Sequence, residues 1–279
     1  IRYGDPRSYL VNAAIFAGAA VLLALLLIPG VKETPAMVAR YMEQEKRRSE
    51  APSFWKLLKE AFGVRDFMAF LLLYAFYQAA TLSMTASIHY VGDYILGRGT
   101  TPIFAGMLAG ALVAVPLWLA LLKKVKSHQT LLAAAAFSLA VFCLPLLFVK
   151  TYMAFVVAMF GWGLSFGGFW LLMTPAMADV IDEVVVQTGR RDDGIYLGFR
   201  AFFGRMAYAV QALSFWAVHA ATGFASAPRS ALAQTGIRIH TAALPALFLV
   251  IGGLVFLRLN GLTRSKVEEN RRILAERKL

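Results

Sequence analysis

Arg205 is the side chain in this sequence that most needs an explanation. It stands inside an apolar run, about ten residues and so ~15 Å into the helix that run would form. A guanidinium near a bilayer centre costs at least ~2.5 kcal/mol unless a partner, a solute or water takes it up. No carboxylate in the sequence has an obviously matching depth. An anionic or hydroxyl-rich solute, or a carboxylate outside the chain, would fit; snorkelling to the interface is the alternative. Trp170, in the preceding apolar run, offers a flat ring on which a sugar could stack, or is a Trp facing lipid or core. Earlier, Tyr74, Gln78, Thr81, Thr85 and His89 fall within ~80° of helical arc and make one polar stripe. Lipid cannot satisfy such groups, so the stripe should face other helices or a wet cavity. Threonines bonded to their own backbone are the blander outcome. His89, near the helix end, reads as an interface residue.

Between the runs that hold Trp170 and Arg205 lies ADVIDEVVVQTGRRDDGIY, read as an acidic and then basic turn. Asp179, Asp182, Arg190 and Arg191 within it suit a gate whose ion pairs form and break as access alternates. A solvated loop, whose exposed pairs contribute almost nothing, is the other reading. Enzymatic chemistry finds no footing: there is no nucleophile–base pair, metal-ligand cluster or phosphate loop, and His89, His128, His219 and His240 are scattered along the chain. Cys143 has no second cysteine with which to form a disulfide or a metal cluster.

The elements that must position these residues follow from composition. Hydrophobic residues make up 59% of the chain and charged ones 16%, with mean hydropathy +0.63; so little polar surface implies a polytopic membrane protein. Seven runs are long enough to span: Ser8–Val31, Phe67–Gly92, Pro102–Leu122, Thr130–Val149, Tyr152–Ala178, Ile195–Ala221 and Ile239–Leu257. Pro145 should kink the fourth. GxxxG spacings at Gly106–Gly110 and Gly163–Gly167 allow close helix contact. Ser53 is placed to cap a short amphipathic helix, FWKLLKEAF, whose Phe54, Trp55, Leu58 and Phe62 suit a membrane interface.

The net charge of +12 lies between the apolar runs, which points to topology and lipid headgroups and not to nucleic acid. Of the 28 Lys and Arg residues, most fall in the segments 30–65, 123–129, 176–200 and 258–279. Positive charge collects on the cytoplasmic side, so the C-terminus is expected there and residue 1 outside. An odd helix count, a first residue that is not Met and a charged segment after the first span suggest the later part of a twelve-helix transporter. Residues 1-31 would then be the last helix of an N-terminal half, 32-65 the cytoplasmic central loop, and 66-279 a six-helix C-terminal bundle with a basic tail. A seven-helix protein complete in itself is the alternative.

The stretch ADVIDEVVVQTGRRDDGIYLGFRAFFGR resembles the glycoside–pentoside–hexuronide:cation symporters, a branch of the major facilitator superfamily that includes the melibiose carriers. The shared features are an AD-x-x-D start, a basic pair near a small acidic group, and an aromatic-rich helix with a central cation. The resemblance implies an all-α membrane protein of the major facilitator fold. It implies that Trp170, Arg200, Arg205 and Tyr208 face the sugar cavity, joined by Tyr74, Gln78 and Thr81 from the stripe, and that Asp179, Asp182, Arg190 and Arg191 close the inward gate. Arg205 replaces the family's Lys with a rigid, permanently charged fork. With Arg200 it makes a more cationic cavity, suited to acidic sugars or other anions. Coupling Na⁺ or H⁺ would be bound mainly by the absent N-terminal half, and no other cofactor is expected.

The expectation is therefore a cation-coupled sugar or glycoside symporter of a bacterial inner membrane, with the missing half and membrane lipid as its partners. A carrier of lysolipid or another anionic solute is the nearest alternative, favoured if the surroundings of Arg205 are apolar. A non-transporting scaffold that dimerises through its GxxxG faces is the more distant one.

Overall fold

The computed structural model describes residues 6–31, 34, 35, 38, 39, 42 and 54–277. The proposed Ser53 cap and most of the 32–53 segment lie outside the described residues. The chain divides into two units, 1–53 and 54–279. In the first, helix α1 (Pro6–Leu27) ends in a 3₁₀ turn at Ile28–Gly30. It is apolar all round and exposes Leu10, Ile15, Phe16 and Leu22, as a lipid-facing span does.

The second unit is a helical bundle: α2 (Phe54–Gly63), α3 (Arg65–Tyr90, continued by a π turn Val91–Leu96), α4 (Thr101–Val125), α5 (His128–Cys143, continued by a 3₁₀ turn Leu144–Leu147), α6 (Tyr152–Thr188), α7 (Asp193–Thr222), α8 (Ala231–Arg238), a π turn Ile239–Ala243, α9 (Leu244–Leu259) and α10 (Arg264–Arg277). Six helices among the described residues are long and apolar enough to cross a membrane. The expected sixth span, α7, is not among them. Its 30 residues reach ~45 Å, but Arg200, Arg205 and its small and polar residues dilute its hydropathy. It nevertheless runs parallel to α3 along its whole length. Phe67 meets Tyr196 near one end, Gly204 abuts Tyr74 in the middle, and Tyr90 meets Phe215 near the other. A helix side by side with a spanning helix is placed to cross the same thickness.

Helix α3 is the centre of the bundle, with Phe67, Phe70, Leu71, Tyr77, Met84 and Ile88 fully buried. Its Phe76 fills the space over Gly252 of α9. The two GxxxG faces pair with each other. A Cβ on Gly163 would lie 2.1 Å from the Met107 carbonyl oxygen, and one on Gly110 2.1 Å from that of Phe160. These faces are spent inside the chain on the α4–α6 contact, which removes the surface a GxxxG-dimerised scaffold would need.

Three sequence expectations change. The fifth span continues ten residues past Ala178, so Asp179, Asp182 and Glu183 stand on helix and not in a turn. Val180, Ile181, Val184 and Val185 give that extension a buried apolar stripe, and nothing breaks the helix before Gly189 at φ +72°. The basic tail folds back as α10, burying Asn270 and Leu274. In α2 the buried residues are Leu57 and Ala61, with Phe62 against Phe199 and Phe203, while Trp55 stays exposed.

Candidate functional site

The middle of the bundle joins α3, α6 and α7 through one line of rings and cations. Gly204 leaves room for the Tyr74 ring, since a Cβ there would come within 2.8 Å of it. Arg200, one turn earlier on the same face of α7, holds its guanidinium 5.6 Å from the centre of that ring. The Tyr74 hydroxyl feels the charge of both Arg200 and Arg205. Tyr74 stacks on Tyr77 at 6.4 Å, and Tyr77 lies flat on Phe169 at 3.7 Å. The Trp170 indole approaches the buried Tyr77 hydroxyl without completing a hydrogen bond of good geometry.

The fold thus brings Tyr74, Trp170, Arg200 and Arg205 to one region. Trp170 is 45% and Tyr208 52% exposed, and Arg205 is exposed between the exposed apolar side chains of Phe202 and Met206. The Arg200 Nε is buried with no hydrogen-bond partner among the described residues, a donor left for something else. The rest of the polar stripe behaves differently. Thr81 and Thr85 donate to the Tyr77 and Thr81 carbonyls of their own helix, at 3.0 and 2.7 Å. Gln78 is half-buried, and His89 is exposed beside Phe104. Tyr77 and Phe169 carry the link to Trp170, and neither was legible as a site residue because an aromatic in an apolar run has no distinguishing signal.

At the α10 end, the acidic residues split into two groups. Asp179 and Glu183 are almost wholly buried and held by α10 and α5. Arg271 donates to Asp179 at 2.9 Å, and His128 Nδ1 lies 2.7 Å from the other oxygen. Glu183 receives Asn270 at 2.7 Å and Gln187 at 2.6 Å, with the Lys266 ammonium 2.7 Å away. Lys266 also reaches Asp66 at 3.7 Å. Burial alone would lower the Lys266 pKa; the hydrogen bond and charge of Glu183, with Asp66, override it and hold the ammonium above the usual lysine range. Asp182 instead pairs with Arg191 at 2.9 Å, while Arg190 pairs with Glu60 of α2. Of the four expected gate residues, Asp182 and Arg191 contact each other. The partners of Asp179 come from elements 50 to 90 residues away, beyond the reach of local spacing.

At the opposite end, the histidines treated as scattered prove to be paired in part: His219 and His240 stand with their Nε2 atoms 3.2 Å apart.

Comparison with known proteins gives two results. A family model described as MFS/sugar transport protein matches residues 4–262. The sodium-dependent lysophosphatidylcholine symporter 1 of Gallus gallus is 24% identical over 285 residues, covering 98% of this chain and 52% of that protein. The symporter 1-B of Danio rerio is 22% identical with the same coverage. The chain spans about half the length of the curated relatives it matches.

Proposed function

The chain belongs to the MFS/sugar transport protein family, and on that premise we propose that it supplies one half of a cation-coupled carrier for an amphiphilic solute with an anionic or zwitterionic head, the lysolipid class. One observation carries this reading: of two arginines on α7, Arg200 keeps an orphan donor against the Tyr74 ring and Arg205 stands between exposed apolar side chains. A head bearing phosphate or carboxylate would take the Arg200 Nε and the Arg205 fork, and its chain would lie along Phe202 and Met206. Charge-assisted hydrogen bonds of that kind are the strong ones. The relatives named as lysophosphatidylcholine symporters support the same class.

A sugar or glycoside cargo is the second reading. It is favoured by the exposed Trp170 ring close to Tyr77, a surface on which a pyranose could stack. In either case the chain would form one wall of a central cavity and the other half of the carrier the second, with the coupling cation held mainly there. The α10 end would be cytoplasmic, and the Asp182–Arg191 and Asp179–Arg271 contacts would close the inward gate.

The test is protection of a cysteine at position 205. It would be introduced with Cys143 replaced by Ser and labelled with a membrane-impermeant thiol reagent. Lysophosphatidylcholine below its micelle concentration is expected to block labelling, with a panel of glycosides, pentosides and hexuronides having no effect. Protection by one sugar class alone would establish the second reading. No labelling under any condition would remove Arg205 from the site.

A further inference from the structure

The end of the bundle away from α10 holds a hydrogen-bonded array that the transport reading does not use. Ser87 Oγ on α3 lies 2.5 Å from the Ser83 carbonyl and 2.6 Å from His240 Nδ1. Two oxygens that close must share a hydrogen, so the Ser87 hydroxyl donates to Ser83. The Nδ1 contact must then be an N–H donated by His240 to Ser87. That leaves Nε2 of His240 bare as an acceptor, and the 3.2 Å contact requires His219 to donate its Nε2–H. Nδ1 of His219 is then unprotonated, on a ring that is only partly buried, whereas His240 is wholly buried.

We propose that His219 and His240 form a proton-binding site that holds one proton between α7 and the α3–α9 side of the bundle. A proton arriving from water adds to the Nδ1 lone pair of His219 and breaks no existing hydrogen bond. It can then be relayed: the Nε2–H bond of His219 breaks as the same hydrogen bonds to His240 Nε2. This second form is the minor one: a cation on the wholly buried His240, even with its Nδ1–H accepted by Ser87, costs more than one on the partly buried His219. Either form leaves every nitrogen paired or facing the entry side. A second proton binds less readily, because two Nε2–H groups would point at one another across 3.2 Å and the rings must part to admit it.

The surroundings suit a site whose charge is set by protons alone. From α3 and its π turn the pair faces Ser87, Tyr90 and Tyr94. Tyr90 lies 5.2 Å from His219 and 5.4 Å from His240, and Tyr94 packs on Phe224. From α7 comes Phe215, stacked on His240 at 4.3 Å, and from the turn after α7 Phe224, stacked on His219 at 4.2 Å. Arg238, ahead of His240, spends its guanidinium on the Leu147 and Val149 carbonyls at 3.0 and 2.8 Å. Among the described residues, the one histidine in an ion pair is His128, at the other end. Both backbone segments at the pair are π turns, Val91–Leu96 following Tyr90 and Ile239–Ala243 containing His240. Such turns occur often where a helix serves a function. The array ties three separate elements, so occupancy of the site bears on whether α7 stays docked at this end. Its use in coupling rests on the transport reading, whereas the proton site does not.

The test is imidazole ¹⁵N NMR of the whole chain, histidine-labelled and held in lipid nanodiscs, across a pH series. At neutral pH the expected tautomers are Nδ1–H for His240 and Nε2–H for His219. On acidification both rings should shift together as one proton is shared, with a second step more than about one pH unit lower. In His219→Gln the shared step should vanish and His240 should titrate alone. Two independent one-proton curves, unmoved by replacement of the partner, would overturn the site. So would the opposite tautomers in the unsubstituted chain, which can be read even if the variant fails to fold. A chain that moves no solute yet titrates as a pair retains the site and counts only against the transport reading.

Discussion

Arg200 and Arg205 differ in what holds them, and the difference predicts different responses to substitution. Arg200 lies against the Tyr74 ring with Nε buried, so its plane is fixed before any solute arrives. Arg205 is exposed and offers a free fork. A hydrogen bond to a charged group contributes about 1.5–3 kcal/mol. Arg205→Ala should therefore weaken binding of an anionic-headed solute roughly tenfold or more. Arg205→Lys should restore only part of the loss, because an ammonium cannot make the bidentate contact. Equilibrium binding of radiolabelled solute to the purified carrier measures both, and equal affinities in all three forms would exclude a headgroup contact. Arg205 was legible in the sequence because a charge in an apolar run is costly wherever the run folds. The orphan Nε of Arg200 was not, since it exists only because Tyr74 and α7 close around it.

Helices α4 and α6 meet backbone to backbone, and this is the contact least able to adjust. At Gly163 an added Cβ would strike a main-chain carbonyl, which no rotamer change can move aside. Gly163→Ala should cost ~1–3 kcal/mol or more by overpacking. Gly198 on α7 has nothing within 4 Å of its would-be Cβ. There, Gly198→Ala should stabilise by roughly 0.5–1 kcal/mol through helix propensity. The thermal midpoints of the detergent-solubilised proteins should move in opposite directions. A rise of equal size in both would mean that propensity, and not the interlocked glycines, governs this part of the fold. GxxxG was visible in the sequence as spacing, but spacing does not say whether the partner is another helix of the same chain or a second copy.

For the molecule as a whole, orientation is the property most open to direct test. The excess of Lys and Arg in alternate loops predicts that α10 is cytoplasmic and that the turn before α8 lies outside. In a Cys143→Ser background, an impermeant thiol reagent added to intact cells should label Ser226→Cys and spare Glu276→Cys until the cells are lysed. The reverse pattern would invert the proposed gate along with the topology. The same test bears on α7. Ser226 follows it and Asp193 begins it, so the two must lie on opposite faces if α7 crosses beside α3.

The sequence by itself determined the membrane class, the helix order, the close-packing motifs and the two arginines of α7. Each of these rests on one-dimensional quantities, hydropathy over ~20 residues, glycine spacing or the cost of an isolated charge, which hold whatever the neighbours are. The tertiary structure alone decided who pairs with whom. Asp179 and Glu183 look like members of a local acidic turn, yet they are paired with Arg271 and Lys266 and hydrogen-bonded by Asn270, about 80 to 90 residues downstream. His219 and His240 look scattered until α7 and the π turn at Ile239–Ala243 bring their rings into contact. A buried polar group must find a partner, but it finds it across the bundle, and only the packing of helices far apart in the chain says which one.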